Sequence, residues 1–353
     1  MILLSTLIDW FLPGLRERHG HRLLPSHERA LAAMADCRTE NSRVMVVECP
    51  DCGHKERIPH SCGHRSCPHC QHHESQRWIE RQKAKLLPVG YFMVTFTLPQ
   101  QLRGLVFSHQ QLAYDLLMRL AWQTLQQFGL NDKHLQGKLG ATAVLHTHSR
   151  RLDYHPHVHF IVPAGALDPH HRLWRKKRGK YLFRQDSLAK VFRAKWLAAM
   201  AEEGLTVRPT LPDDWVVDCK HVGRGEKALV YLGKYLYRGV IREKDIVSCE
   251  NGRVTFRYRE NSGSVKTRTL PGEDFLWLLL QHVLPKGFRR ARDYGLLHAN
   301  SKPLIQLLHY LFPAVAQRPV AASRRPPIRC PVCGGEMEIL VTGCRPPLKE
   351  RPT

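Results

Sequence analysis

No run in this chain approaches the ~18 consecutive apolar residues of a membrane-spanning helix, which argues against a helical membrane protein. There is no internal repeat, so no stacked-repeat architecture is expected. The apolar opening Met1 to Leu12 lacks a basic leader, carries Asp9 and is followed by no small-residue cleavage site. It reads as an amphipathic first helix rather than a secretory signal. Acid is scarce: 31 Asp and Glu stand against 54 Lys and Arg, a formal charge of +23. Such a field favours a polyanionic partner, nucleic acid first and an anionic membrane surface second. The eleven cysteines are odd in number and fall mostly in C-x-x-C pairs among histidines. That usage fits metal-bound thiolates in a reducing cytoplasm better than disulfides.

With 353 residues and 43 % hydrophobic content the chain can bury a proper core. Three parts are expected: residues 1–85, helical with a cysteine cluster; residues 86–315, an α+β domain; and residues 316–353, a Pro/Arg-rich linker with a short cysteine-containing tail. Tyr91 to Leu98 alternates as a strand does. A helix follows near 107–128. Gly140 to His146 and His157 to Val162 read as two strands joined by a polar turn, Ser187 to Glu203 as a helix, and Trp215 to His221 as another strand. This order predicts an antiparallel sheet with helices on one face. Asn251-Gly252 marks the turn of a hairpin between Val247 and Tyr258.

Cys49-x2-Cys52 and Cys67-x2-Cys70, fourteen residues apart, match the two-knuckle spacing in which four thiolates close a structural Zn2+ site. Cys37, Cys62, His54, His60 and His64 remain as surplus donors for a second zinc. In the tail, Cys330, Cys333 and Cys344 offer three thiolates and need a borrowed fourth ligand.

The stretch His155-Pro-His157-Val-His159-Phe-Ile-Val places imidazoles at alternate positions, so His157 and His159 share one face of a strand and can bind one metal ion. A third donor is needed, either His146, brought near by the proposed hairpin, or His155. Downstream, Tyr231 and Tyr235 are neighbours at helical spacing, with Lys227, Lys234 and Arg238 on their side and Leu229, Leu232 and Leu236 opposite. Those cations are expected to stabilise a phenolate. A metal-polarised phosphate attacked by such a tyrosine would leave a 5′-phosphotyrosine and a free 3′-hydroxyl, the bond energy being kept for strand transfer. The basic residues Arg175, Lys176, Lys177, Arg178, Lys286, Arg289 and Arg290, interleaved with Trp174, Tyr181 and Phe288, are expected to hold phosphates and stack bases.

Taken together, His155-Pro-His-Val-His159, Tyr231-x3-Tyr235, Ser61-Cys-Gly-His-Arg-Ser-Cys-Pro-His-Cys-Gln71 and Leu284-Pro-Lys-Gly-Phe-Arg-Arg-Ala-Arg-Asp-Tyr-Gly295 resemble the two-tyrosine HUH transposases of the insertion sequence ninety-one family, over about residues 23–335. The resemblance implies an HUH-endonuclease-like antiparallel sheet flanked by helices, preceded by a zinc-ribbon-like module. It implies Mg2+ or Mn2+ on His157 and His159, with Tyr231 and Tyr235 as nucleophiles. The stretch His146-x-x-Ser-Arg-x-Leu-Asp153 resembles the segment supplying the third histidine of conjugative relaxases. The implied activity is cutting single-stranded or melted DNA at element ends and moving one strand by a rolling-circle-like route. A plasmid replication initiator or relaxase with the same chemistry, and a zinc-dependent DNA-binding protein without catalysis, are the competing readings.

Overall fold

The computed structural model describes residues 2–312 and 327–344, apart from Glu40, Gln71, Pro169, Arg172, Lys180, residues 207–209, Tyr237, Arg238 and Asn261. Two compact units share the chain. One comprises Gln76–Leu236 and Leu284–Ala321, and the other Met1–Ser75, Tyr237–Val283 and Ala322–Thr353. The described residues of the expected tail, 327–344, thus belong to the unit that holds the N-terminus.

The first of these units is built on a five-stranded sheet in the order Ala291–Gly295, Gly140–His148, Tyr154–Pro163, Tyr91–Thr97, Val217–His221, with every neighbouring pair antiparallel. Alternation along Tyr91–Thr97 sends Phe92, Val94 and Phe96 into a core where each is fully buried. Val158, Phe160 and Val162, with Ala141, Ala143 and Leu145, face the same core. The helices Gln110–Asn131 and Gln185–Glu202 cover this side. Each presents an apolar stripe at three- and four-residue spacing, Tyr114, Leu117, Ala121 and Leu125 on one and Leu188, Phe192, Trp196 and Ala199 on the other.

Strand residues between these core positions leave the opposite face, where Thr142 donates to Asp293 at 2.7 Å and Gln82 donates to the same carboxylate at 3.1 Å. The helix Glu226–Leu236 lies on this side too, its Gly233 pressed against Ile79 and Trp78. Helices therefore flank both faces of the sheet rather than one. The reason is legible in Leu229, Leu232 and Leu236, whose burial gives the tyrosine helix an apolar face of its own to cover.

In the other unit, the helices Leu4–His19, Pro25–Ala35 and Gly272–Leu280 accompany two three-stranded antiparallel sheets. One sheet is a meander of Ile246–Glu250, Arg253–Arg259 and Val265–Pro271. Its first turn is Asn251-Gly252, both at positive φ (50° and 72°), as the dipeptide predicts. The other sheet runs Glu338–Cys344, Val44–Glu48, Lys55–Pro59, so a C-terminal strand pairs directly with an N-terminal one. Among the described residues no helix is long and apolar enough to cross a membrane.

Candidate active site and metal centres

Register places the histidines. Gly140–His148 and Tyr154–Pro163 pair so that His146 stands opposite His157 and Val144 opposite His159. Because side chains alternate, His146, His157 and His159 all leave the face away from the aromatic core. Their ring centroids lie 4.5 to 5.3 Å apart, and one nitrogen of each falls within 4.8 Å of the others.

Hydrogen bonding fixes one tautomer. His157 Nδ1–H donates to the His155 carbonyl at 2.7 Å, which leaves its Nε2 as a bare lone pair. His159 Nδ1 is hydrogen-bonded to Thr95 Oγ1 at 2.8 Å, Thr95 being its register partner on the adjacent strand. The Nε2 atoms of His146 and His159 are buried and make no hydrogen bond, an arrangement that costs free energy unless a cation occupies it. Burial also pushes His157 down to about 3 and His159 to about 4, and holds His146 well below its usual value, with the charges of His159 and His157 adding to the effect there. Neutral imidazoles with converging nitrogens are the donor set a divalent metal requires.

His155 is placed differently. Its Nδ1 accepts from Arg103 Nη2 at 2.8 Å, and it stands outside the cluster.

Both tyrosines meet the imidazoles. The Tyr235 ring lies 5.1 Å from His146 and 5.9 Å from His148, the Tyr231 ring 6.4 Å from His146 and from His159, and the two tyrosine rings are 5.0 Å apart. The side chains around Tyr231 do not by themselves favour the expected phenolate. Burial, then the neighbouring Tyr235, push the Tyr231 hydroxyl up to about 12, and the cation opposing them is Arg150, from the turn between the histidine strands. Lys227 and Lys234 are solvent-exposed, and Arg238 lies outside the described residues. Arg290 Nη1 donates to the Tyr235 carbonyl at 2.7 Å, so this arginine anchors the end of the tyrosine helix.

The remaining basic residues divide into occupied and open ones. Residues 173–176 form a strand, Leu173–Lys176, paired with Gly165–Asp168. Arg175 is held by Asp168 through two bonds of 2.9 and 2.6 Å, and Lys177 by Asp132. Lys176, Arg178, Lys286 and Arg289 are exposed. Among the aromatics, Tyr181 is 64 % exposed, whereas Phe288 is 1 % exposed and packs edge-on against Tyr114. Phe288 is therefore a core residue and presents no face to a base. Trp174 packs against Phe312.

The cysteines correct the expected single cluster. Cys49 and Cys52 do not meet Cys67 and Cys70. Cys67 and Cys70 gather with Cys37 and Cys62, and Cys49 and Cys52 gather with Cys330 and Cys333. The C-x-x-C spacing identifies each knuckle but not its partner, and the former surplus donors Cys37 and Cys62 turn out to complete a set of four. The Cys344 side chain lies outside the described residues.

Two family models match the chain, "Transposase zinc-binding domain" over residues 8–98 and "Putative transposase" over residues 140–303. The protein y4qJ of Sinorhizobium fredii, described as a putative transposase, is 32 % identical over 299 residues, covering 78 % of this chain and 75 % of that protein. The chain belongs to the IS91 family of transposases. The transposase is also 29 % identical over 273 residues to the transposase for insertion sequence element IS801 of Pseudomonas savastanoi pv. phaseolicola, covering 70 % of this chain and 63 % of that one. No solved structure matches it. The zinc-binding match takes in the knuckles from Cys37 to Cys70 and ends far before Cys330, while the second match contains His146, His157, His159 and both tyrosines of the transposase. Thr95 and Arg150 are the site residues that the pattern of the transposase sequence did not single out. Thr95 was available as a polar residue on the face of a strand opposite its aromatics, and Arg150 lay within the stretch His146-x-x-Ser-Arg-x-Leu-Asp153 without being assigned a role.

Proposed function

We propose that this transposase nicks single-stranded or locally melted DNA at the ends of its element by tyrosine attack and transfers the resulting strand. The observation that carries this reading is the packing of two tyrosine rings against His146 and His159, whose ring nitrogens converge with that of His157. A divalent cation, Mg2+ or Mn2+, held by His146, His157 and His159 would polarise the scissile phosphate and stabilise the charge that develops on it.

The hydroxyl of Tyr231 or Tyr235 attacks phosphorus; the new Oη–P bond forms as the P–O3′ bond breaks. The tyrosyl proton is lost and the departing oxygen ends as a 3′-hydroxyl. A phosphodiester is exchanged for a phosphotyrosine diester, so a 3′-hydroxyl can reverse the step without ATP. The second tyrosine remains free for a second cut while the first is occupied. Arg150, whose charge bears on Tyr231, would hold a backbone phosphate, with exposed Lys227 and Lys234 of the tyrosine helix extending the path. Two tyrosines on one helix favour a strand-transfer enzyme over a DNA-binding protein without catalysis, because packing alone needs no hydroxyl at either position.

The test uses the full chain with single-stranded oligonucleotides covering both ends of the encoding element and Mn2+. A denaturant-stable protein–DNA adduct is expected, and it should vanish in the double variant Y231F/Y235F. Retention of the oligonucleotides without any adduct would support the non-catalytic reading instead.

A further inference from the structure

We infer that this chain holds two structural zinc ions, and that one of them closes a zinc ribbon whose two halves are Cys49/Cys52 near the N-terminus and Cys330/Cys333 in the C-terminal segment. The two halves are copies of one pattern, Cys49-Pro-Asp-Cys52-Gly53 and Cys330-Pro-Val-Cys333-Gly334. They are also copies in backbone geometry. Cys49 N–H donates to the His54 carbonyl at 2.9 Å and Cys330 N–H to the Gly335 carbonyl at 2.8 Å; Gly53 N–H donates to the Cys49 carbonyl at 2.8 Å and Gly334 N–H to the Cys330 carbonyl at 2.9 Å. Gly53 and Gly334 both turn through positive φ, 69° and 77°. This is the tight loop that turns two thiolates of one knuckle toward a common point.

The sulfurs meet as a metal requires. Cys49 and Cys333 are 3.4 Å apart and Cys52 and Cys330 3.6 Å, close to the roughly 3.8 Å edge of a tetrahedron with ~2.3 Å Zn–S bonds and far longer than the ~2.05 Å of a disulfide. In the second set, Cys37–Cys70, Cys62–Cys70 and Cys67–Cys37 are separated by 3.5, 3.6 and 3.6 Å. All eight are free thiols.

Little else holds the ribbon. Its buried apolar content is Val47, Cys49, Cys330 and Met337, with Met45, Ile58 and Ile328 partly covered. So small a core does not order two segments whose cysteines lie as much as 284 positions apart. Zinc supplies the closure, and the pairing of Glu338–Cys344 with Val44–Glu48 follows from it. The metal thus joins the C-terminal segment to the N-terminal module as a disulfide would in a secreted protein.

Two measurements on the full chain decide this. Zinc content after reconstitution with excess Zn2+ should be two per chain, falling to one in C330S/C333S. In the zinc-loaded wild type, N-ethylmaleimide followed by peptide mass mapping should leave Cys52 and Cys333 unlabelled although both are solvent-exposed, while half-buried Cys249 reacts. Under stepwise chelation Cys49, Cys52, Cys330 and Cys333 should become reactive together, as one set. Labelling of Cys333 in the zinc-loaded protein, or release of Cys49 and Cys52 in step with Cys67 and Cys70, would overturn the assignment. Because the labelling needs no substitution, a variant that fails to fold leaves the question decidable.

Discussion

His146 stands directly opposite His157 across two antiparallel strands, and this single register fact converts a pair of alternate histidines into a three-nitrogen site. A slip of one residue would turn His146 to the aromatic core and present Leu145 to the tyrosines instead. The site is therefore specified by the same apolar alternation that builds the core.

The two donors that sequence leaves open should separate in a metal titration. H146A is expected to lose tight Mn2+ binding, read by calorimetry or by the Mn2+ resonance signal, because it removes one of three ligands. H155A should keep it, since His155 is engaged with Arg103 and stands outside the cluster. T95A should fall between the two, weakening the metal by about 10- to 100-fold through loss of the bond that orients His159. Tight binding by H146A together with weak binding by H155A would reverse the assignment.

Much of this was legible beforehand, for identifiable reasons. Period two gave the histidine strand and its hairpin partner, and period 3.6 gave the tyrosine face, because both depend on neighbours in sequence. The electrostatics around Tyr231 were not legible. A helical wheel displays Lys227 and Lys234, but the cation that acts on the hydroxyl comes from a turn some eighty residues earlier. The cysteine pairing failed for a related reason: three C-x-x-C knuckles and five lone cysteines permit several partitions, and only the three-dimensional grouping of the sulfurs selects one. The repeated Cys-Pro-x-Cys-Gly pattern at 49 and 330 was the available signal.

Gly233 sits between the two tyrosines on the helix side that faces Ile79 and Trp78. In an exposed helix, Gly to Ala stabilises by about 1 kcal/mol. Here a Cβ would overlap the Ile79 side chain, and overpacking of that kind costs about 1–3 kcal/mol. G233A should therefore lower the melting temperature, and by displacing the helix it should reduce adduct formation more than it reduces DNA retention. A raised melting temperature would show that the helix is not seated as described.

A pH dependence follows from His27, which is fully buried beside Trp277 and accepts the Leu24 backbone N–H on Nδ1. Burial lowers its pKa to about 4, against a pull upward from Glu28. The unfolded chain, with a histidine near ~6.5, binds the proton first as pH falls. The contribution is thus fully present above about pH 6.5 and is lost on acidification toward pH 4, roughly 2 kcal/mol between pH 7.5 and pH 5. Zinc loss also destabilises at low pH, so the measurement is a difference: urea midpoints at the two pH values in wild type and in H27Q. The wild type should lose more stability than the variant, and equal losses would remove His27 from the account.

Phe288 and Tyr181 both stand among basic residues, yet they should respond oppositely to truncation. Phe288 lies in the aromatic core against Tyr114, and Arg292 stacks over its ring at 5.0 Å. Removing a buried phenyl costs about 3–5 kcal/mol, so F288A should lower thermal stability sharply. Tyr181 is mostly exposed, and Y181A should leave stability within about 0.5 kcal/mol of wild type. If single strands stack on this surface, Y181A should weaken their binding by about 1–3 kcal/mol, as loss of one aromatic platform does. Fluorescence anisotropy with a labelled single strand, run beside thermal denaturation, reads both outcomes. Unchanged affinity in Y181A would leave the exposed cations alone to carry DNA binding on this side.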